Sequence, residues 1–527
     1  MSTAERELCL PSELESLART GMALSFHARV KPHAIAVFSQ RGTRTFAQLN
    51  TNANRLVHVL ANAGIGHDDG VALLCPNIPE FLEVYCATRR SGLRLTPVNW
   101  HLTGPEVAHI VADSRAKVLI AHADFAAAAA QACNERLAVR LAIGGAIPGF
   151  DSYEDALHGQ PDTDPTNPRL GGIMLYTAGT TGRPKGVYRR NPLHIGPQYA
   201  GTLANYDPDT DVNLLCGPAY HGGPLTFDVT YPLVSGVPIV MMEKFDAETM
   251  LQLIERHRVT HTHMVATMFQ RLLKLPEATR ARYDLSSLKV VMHGAAPTPP
   301  EVKRAMIEWW GPVFWEYYAA TEGNARFRIS SQEWLRKPGS VGKLQPECGA
   351  QVLDEDGKPT TPGVVGEIYF RNNPQSPFEY FNAPEHERGR WRGEHFSVGD
   401  LGYVDEDGYL FLVGRTADRI IVGGVNIHPQ EIDEVLLKHP AVSESCTVGV
   451  PNDEWGEEVR GVVVLNEGYS PSPELAAELI AFVRSNIASY KAPRRIDFVA
   501  ELPRSETGKL QRRVVRQRYW ASRTREI

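Results

Sequence analysis

A chain of 527 residues has room for three or four domains of ordinary size, or for one large body with an appendage. With 43% hydrophobic and 22% charged residues its composition is that of a globular protein, which excludes intrinsic disorder. Lys and Arg total 55 against 61 Asp and Glu, and a formal charge of -6 argues against nucleic-acid binding through bulk charge. The seven cysteines are scattered, odd in number and form no CxxC, so neither a disulfide framework nor a thiolate zinc site is expected, and a reducing compartment is. No apolar run approaches the roughly 20 residues that span a bilayer. Met1 to Gly21 lacks the apolar stretch of a secretory leader, and the final Thr-Arg-Glu-Ile matches neither a peroxisomal tripeptide nor a prenylation box; a cytoplasmic enzyme is the expectation.

In chain order, Val71–Cys75 reads as a strand. Pro79 opens a helix through Arg90, with Ile78, Phe81, Leu82 and Tyr85 on one side. Val118–Ala121 reads as a strand and Phe125–Leu137, with its five consecutive alanines, as a helix. A Pro/Asp/Thr/Gly-rich loop over Gly159–Gly172 leads into a strand, Ile173–Tyr176. Further β–α alternation follows: strands His261–Val265 and Lys289–His293, helix Pro299–Trp310, strand Val313–Tyr318. Repeated βα units imply an α/β body with mostly parallel sheets, which hold their sites in loops beyond the carboxyl ends of the strands. After about Gly339, Gly366–Arg371 and Tyr409–Val413 alternate with Asp356-Gly357 and Asp407-Gly408 turns, which predicts hairpins and a small β-barrel region. Beyond Arg415 a small α+β domain is expected: Ile420–Val422, helix Pro429–His439, strand Gly461–Leu465 and helix Glu474–Ile487. The domain division is placed there, as 1–415 and 416–527.

The stretch Tyr176-Thr-Ala-Gly-Thr-Thr-Gly-Arg-Pro-Lys-Gly186 puts glycines, threonine hydroxyls and a lysine directly after a strand. Glycines let backbone N–H groups turn inward around phosphate oxygens; Thr177, Thr180 and Thr181 add donors and Lys185 adds charge. It is not a Walker A loop, because Pro184 precedes Lys185 and Gly186 follows it.

This loop resembles the phosphate loop of the acyl-adenylate-forming superfamily, which includes acyl-CoA synthetases, peptide-synthetase adenylation domains and luciferases. Tyr318-Ala-Ala-Thr-Glu322, Ser397-Val-Gly-Asp400, Gly414-Arg415, Gly423-Gly424 with Asn426-Ile-His-Pro429, and Pro503-Arg-Ser-Glu-Thr-Gly-Lys509 resemble its later motifs in the same order. The resemblance covers the chain from about residue 170 to its end, and implies the following roles. Thr177, Gly179, Thr180, Thr181, Gly182 and Lys185 bind ATP phosphates; Glu322, with Thr177, holds Mg2+; Tyr318 stacks on adenine, with Gly294, Ala295, Ala296 and Thr321 around it. Asp400 accepts from the ribose hydroxyls and Arg415 supports the ribose or phosphate side. Lys509, carried by the small domain, bridges the carboxylate being activated and the α-phosphate. The small domain then rotates, bringing Gly423-Gly424 to the site for CoA; Tyr490-Lys-Ala-Pro-Arg494 faces the CoA phosphates. The catalytic set is Lys509, Glu322, Thr177 and Lys185.

Three departures from the family pattern stand out. Ala178 replaces a serine in the loop, Ala319 replaces a glycine after Tyr318, and Ala417 with Asp418 occupies the hinge, so either residue can serve there. Pro218-Ala-Tyr-His-Gly-Gly-Pro224 resembles the element before the acyl pocket, with His221 as its gate or wall. The wall is expected to be small and apolar: Gly222, Gly223, Gly294, Ala295 and Ala319, with Val265, Met268 and Met292 near, and no cation for a second carboxylate. Asp228 lies only 8 residues before Gly236, the wrong spacing for an amine-binding aspartate, and is expected to be solvated or a cap.

The resemblance thus implies an acyl-CoA synthetase of fatty-acid metabolism: MgATP and a medium- or long-chain fatty acid, or another bulky apolar acid, give acyl-AMP and pyrophosphate, and CoA displaces AMP. The expected partners are the acid, ATP, Mg2+ and CoA, with no nucleic acid and no membrane span; a homodimer is one assembly it allows. Two alternatives stay open: a ligase that loads a carrier-protein phosphopantetheine, and a nucleotide-binding homologue without catalysis.

Overall fold

Gly70–Leu74 is buried at every position, as a parallel strand covered on both faces must be, and around it the fold is built. The computed structural model describes residues 12–177, 184–197, 200, 204–323, 327–343, 349–383, 389–422, 425–505 and 508–521. The chain packs as two compact units. The first comprises Met1–Ala295, Arg304–Asn324 and Asn372–Gly389, and the second Ala296–Lys303, Ala325–Arg371 and Arg390–Ile527.

The first unit contains two parallel sheets. One runs in the order Asp151–Ser152, Val139–Ile143, Ala116–His122, Gly70–Leu74, Arg94–Pro97, Gly172–Ile173. The other runs Phe314–Tyr318, Val290–His293, His261–Met264, Asn213–Leu215, Ile239–Met241, Ile35–Phe38, with Arg44–Thr45 antiparallel at its edge. A third, antiparallel sheet orders Phe378–Tyr380, Lys185–Arg189 and Leu175–Thr177. Helix Pro79–Arg90 follows its predicted span, with Pro79 in its first turn and nearly every side chain buried. Helix Phe46–Asn62 starts at a reciprocal cap between Thr45 and Gln48.

Two predicted elements differ. The strand expected over Ile173–Tyr176 divides at Met174: Gly172–Ile173 joins a parallel sheet and Leu175–Thr177 the antiparallel one. Periodicity cannot show this division, because both pieces are apolar. The alanine-rich helix covers only Ala126–Gln131, after a short 3-10 turn at Ala123–Phe125. Over the rest of the predicted span the Asn134 side chain accepts the Arg136 N–H, a local bond that competes with helix.

In the second unit, Ser340–Lys343, Tyr409–Arg415, His395–Val404, Gly366–Arg371 and Ala350–Leu353 form the antiparallel sheet anticipated as a barrel-like region. Its Asp-Gly turns place Gly357 and Gly408 at φ of 80° and 82°, where glycine is favoured. The α+β portion pairs Ile420–Val422, Val442–Asn452, Gly456–Leu465 and Arg495–Phe498, and packs Pro429–Leu436 and Pro473–Asn486 around one apolar core that includes Ile432, Leu436 and Leu479. No helix is long and apolar enough to cross a membrane, among the described residues.

Candidate active site

The segments beyond the carboxyl ends of His261–Met264, Val290–His293 and Phe314–Tyr318 carry several of the expected site residues of the first unit. Val265 follows the first of these strands, Gly294 and Ala295 the second, Ala319 and Thr321-Glu322 the third. Gly294 must be glycine: a Cβ there would lie 2.5 Å from the Tyr317 carbonyl oxygen. Ala295 sits at φ 64°, a left-handed conformation uncommon for a residue with a side chain and concentrated at functional sites. Tyr318 is buried at the strand end and Ala296 follows Ala295 in the bend.

Thr177 and Lys185 are cross-strand partners, so the ends of the phosphate loop are held in register at its base. Gly179, Thr180, Thr181 and Gly182, with Ala178, lie outside the described residues, as do Gly423 and Gly424. Lys185 is buried, and its ammonium lies over the Tyr380 ring, 5.4 Å from the centroid. The Tyr380 hydroxyl donates to Glu322 Oε1 at 2.8 Å. One tyrosine therefore spans the expected phosphate lysine and the expected metal carboxylate. Arg189, on the strand that begins with Lys185, donates to the carbonyls of Thr321 at 3.3 Å, Glu322 at 3.0 Å and Ser376 at 2.5 Å. Burial pushes its pKa down to about 10, against the opposing pull of the Glu322 charge. Neither Tyr380 nor Arg189 is signalled by a motif; each acts through a strand pairing that the sequence does not display. A single buried carboxylate with a neighbouring hydroxyl suits Mg2+, which takes one or two protein carboxylates and fills its shell with phosphate oxygens and water.

The acyl-side residues gather around the helical run Gly222–Ser235, which His221 precedes. Its centre, Leu225–Thr230, is a π-helical turn, and Thr230 Oγ1 also donates to the Leu225 carbonyl five residues back. A Cβ on Gly223 would lie 2.8 Å from both Tyr317 Oη and His263 Cε1, so the helix backbone rests directly on those two side chains. Gly222 has Leu175 Cδ1 at 3.1 Å from its hypothetical Cβ. His221 is half-buried, and desolvation with the charge of nearby His101 lowers its pKa to about 4 and keeps it neutral at neutral pH. Met268 and Met292 are buried behind this wall. The wall is less uniformly apolar than its small residues suggest, because His263 and Tyr317 belong to it.

Asp228 is neither solvated nor a cap. It is fully buried, accepts from Asn213 Nδ2 at 3.2 Å, and burial raises its pKa well above the usual carboxylate range. The π turn shifts the side-chain sequence by one place and turns Asp228 into the protein, a change of face that helical spacing alone does not reveal.

The remaining expected residues belong to the second unit. Asp400 and Arg415 face each other across Tyr409–Arg415 and His395–Val404, with Arg415 Nε donating to Asp400 Oδ1 at 2.8 Å. Lys509 is exposed on a tight loop. Its N–H donates to Ser505 Oγ, its carbonyl accepts the Ser505 N–H at 2.7 Å, and Arg504 donates to the Gly508 carbonyl at 2.8 Å. Gly508 takes φ 74° inside that loop, which is why glycine precedes the lysine.

Comparison with known proteins gives the family. The model of the family described as AMP-binding enzyme matches residues 24–376, and that of the AMP-binding enzyme C-terminal domain matches residues 431–509. The fatty acid–[acyl-carrier-protein] ligase ScoC of Streptomyces coeruleorubidus is 32% identical, covering 98% of each chain. The indoleacetate–CoA ligase of Aromatoleum aromaticum is also 32% identical, over 93% of this chain and 96% of that one. ATP-bound MatB from Rhodopseudomonas palustris superimposes with a TM-score of 0.82 at 28% identity, covering 95% of this chain and 99% of the other. The chain belongs to the AMP-binding enzyme family, on the CoA-ligase branch of the acyl-adenylate-forming superfamily.

Proposed function

We propose that this protein is an acyl-CoA synthetase for a bulky apolar carboxylic acid. It is an AMP-forming acid–CoA ligase that uses ATP and CoA as substrates. The observation that carries the reading of the site is the linked set Lys185, Tyr380 and Glu322 beside the acyl wall of Gly222, Gly223 and Gly294. Glu322 and Thr177 would hold Mg2+, which would supply charge compensation for the ATP phosphates. Lys185 and the loop that follows Thr177 bind the phosphates. Tyr318 and the Gly294–Ala296 segment receive adenine, and Asp400 with Arg415 the ribose. Lys509 steadies the carboxylate against the α-phosphate during adenylation, and Gly423-Gly424 serves the thiol step after a swing at Arg415–Asp418, with 1–415 as the body and 416–527 as the moving part. His221, neutral at working pH, lines the passage between adenylate and acyl group.

Two relatives of equal identity pull the finer reading apart. One is named for a fatty acid and a carrier protein, the other for an aromatic acid and CoA. The aromatic side chains around Gly223 favour the bulky, compact alternative over a medium- or long-chain fatty acid. The deciding experiment is pyrophosphate release over a panel of carboxylic acids, followed by AMP release with CoA or with a phosphopantetheinylated carrier protein as acceptor. Acid-dependent pyrophosphate release with CoA-dependent AMP release supports the proposal. Release of AMP only with the carrier protein would transfer it to the carrier-loading alternative, and no acid-dependent release at all would sink it.

A further inference from the structure

Three aromatic side chains pack together where the helical run beginning at Gly222 meets the strand ends. Phe227 and His263 stack at an interplanar angle of 4° with centroids 5.5 Å apart, and Tyr317 leans on both, 4.9 Å from Phe227 and 5.7 Å from His263. The Tyr317 hydroxyl and His263 Nε2 are hydrogen-bonded at 3.0 Å, which fixes the two rings as one piece. Gly223 presses on this pair from the helix, and Gly294 presses on the Tyr317 ring from the neighbouring strand end, each so closely that a Cβ would meet the ring at 2.8 Å. At these two contacts the backbone rests on the rings with no room for even a Cβ.

What lies behind the wall is equally unsuited to a fatty tail. A cavity with room for about one water molecule is bordered by Phe227, Met292, Tyr206, Asn213, His261 and Asp228. Asp228 Oδ2 is buried there without a hydrogen-bond partner among the described residues, and its other oxygen accepts from Asn213. An alkyl chain pushed into this space would displace any water and leave the carboxyl unsolvated, which is costly.

We propose that Phe227, His263 and Tyr317 form a closed end wall that restricts the enzyme to compact acids, single-ring or short-chain, and excludes long-chain fatty acids. This rests on the acyl-CoA synthetase reading above. The hydrogen-bonded pair gives the end wall one polar spot, suited to a hydroxyl or amino substituent on the ring of the acid.

The test measures kcat/KM for pyrophosphate release with benzoate, 4-hydroxybenzoate, phenylacetate, hexanoate, dodecanoate and palmitate. Wild type is expected to use ring acids and hexanoate and to reject dodecanoate and palmitate. Tyr317→Ala and, separately, Phe227→Ala should raise the dodecanoate-to-hexanoate ratio at least tenfold, since even one methylene in a pocket discriminates roughly 10–200-fold. Tyr317→Phe keeps the ring, so it should keep the chain-length limit while lowering the 4-hydroxybenzoate-to-benzoate ratio. Wild-type preference for dodecanoate or palmitate overturns the end wall but leaves the ligase reading intact. So does an unchanged ratio in both alanine variants, provided circular dichroism and thermal unfolding show them folded. Absence of pyrophosphate release with every acid overturns the ligase reading itself, and the end wall with it.

Discussion

The Tyr380 hydroxyl donates to Glu322 at 2.8 Å while the same ring lies beneath the Lys185 ammonium, so a tyrosine remote in sequence joins the two charged groups of the proposed phosphate site. Tyr380→Phe keeps the ring under Lys185 and removes only the bond to the carboxylate. Hydrogen bonds to charged groups contribute about 1.5–3 kcal/mol, so kcat/KM for MgATP should fall roughly tenfold or more, with the apparent Mg2+ requirement shifted upward. Pyrophosphate release titrated with Mg2+ at limiting ATP reads this directly. A profile that overlays wild type would remove Tyr380 from the site.

Arg189 holds three carbonyls at once, those of Thr321, Glu322 and Ser376. It thereby ties the segment carrying Glu322 to the strand that begins with Lys185. Arg189→Ala leaves the part-buried carbonyls of Glu322 and Ser376 without this donor, at a cost of about 1–3 kcal/mol each, and should lower both the denaturation midpoint and kcat/KM. Arg189→Lys cannot reproduce a planar fork and should recover the charge without recovering the rate. Full activity in Arg189→Lys would show that charge alone matters at this position.

How much of this was legible beforehand divides along physical lines. Buried parallel strands such as Val290–His293 and Phe314–Tyr318 showed themselves as short apolar runs, and helix Pro79–Arg90 by its proline start and spacing. Motif order singles out Lys185, Glu322, Asp400 and Lys509 as candidates but not their partners, because a bond such as Tyr380 to Glu322 spans 58 residues and depends on strand register. Asp228 was misplaced for a different reason. A π turn inserts one extra residue per turn, and local sequence gives no periodic sign of it. Tyr317 and His263 carry no motif, and the glycines opposite them suggest open space, whereas those glycines are small so that the rings can pack against the backbone.

Lys509 stands on a loop whose backbone is fixed by Ser505 and by Arg504, itself paired with Glu444 at 2.8 Å. Lys509→Ala should abolish adenylation while sparing most thioester formation from preformed acyl-AMP. Arg504→Ala, which frees the Gly508 carbonyl and leaves Lys509 in place, should reduce adenylation by a smaller factor and likewise spare the thioester step. The two half-reactions are measured separately, as pyrophosphate release and as AMP release from synthetic acyl-AMP with CoA. Equal loss of both in Lys509→Ala would contradict the role assigned to the lysine.

Acid sensitivity follows from the histidines. His27, His261 and His263 are buried, and burial holds their pKa at about 4, about 4 and about 3, against 6.5 when exposed. Between about pH 4 and 6.5 the unfolded chain therefore binds protons that the folded chain does not, so stability falls as pH drops through that window. Asp228 works in the opposite sense: its raised pKa lets the folded chain keep a proton that the unfolded chain has lost. Three histidines against one carboxyl leave a net uptake of about two protons from these groups on unfolding near pH 5. The urea midpoint should accordingly be lower at pH 5 than at pH 7, and His263→Phe, which preserves a ring against Phe227, should make the dependence shallower. A midpoint that stays level or rises on acidification would show that these histidines are not held neutral by the fold.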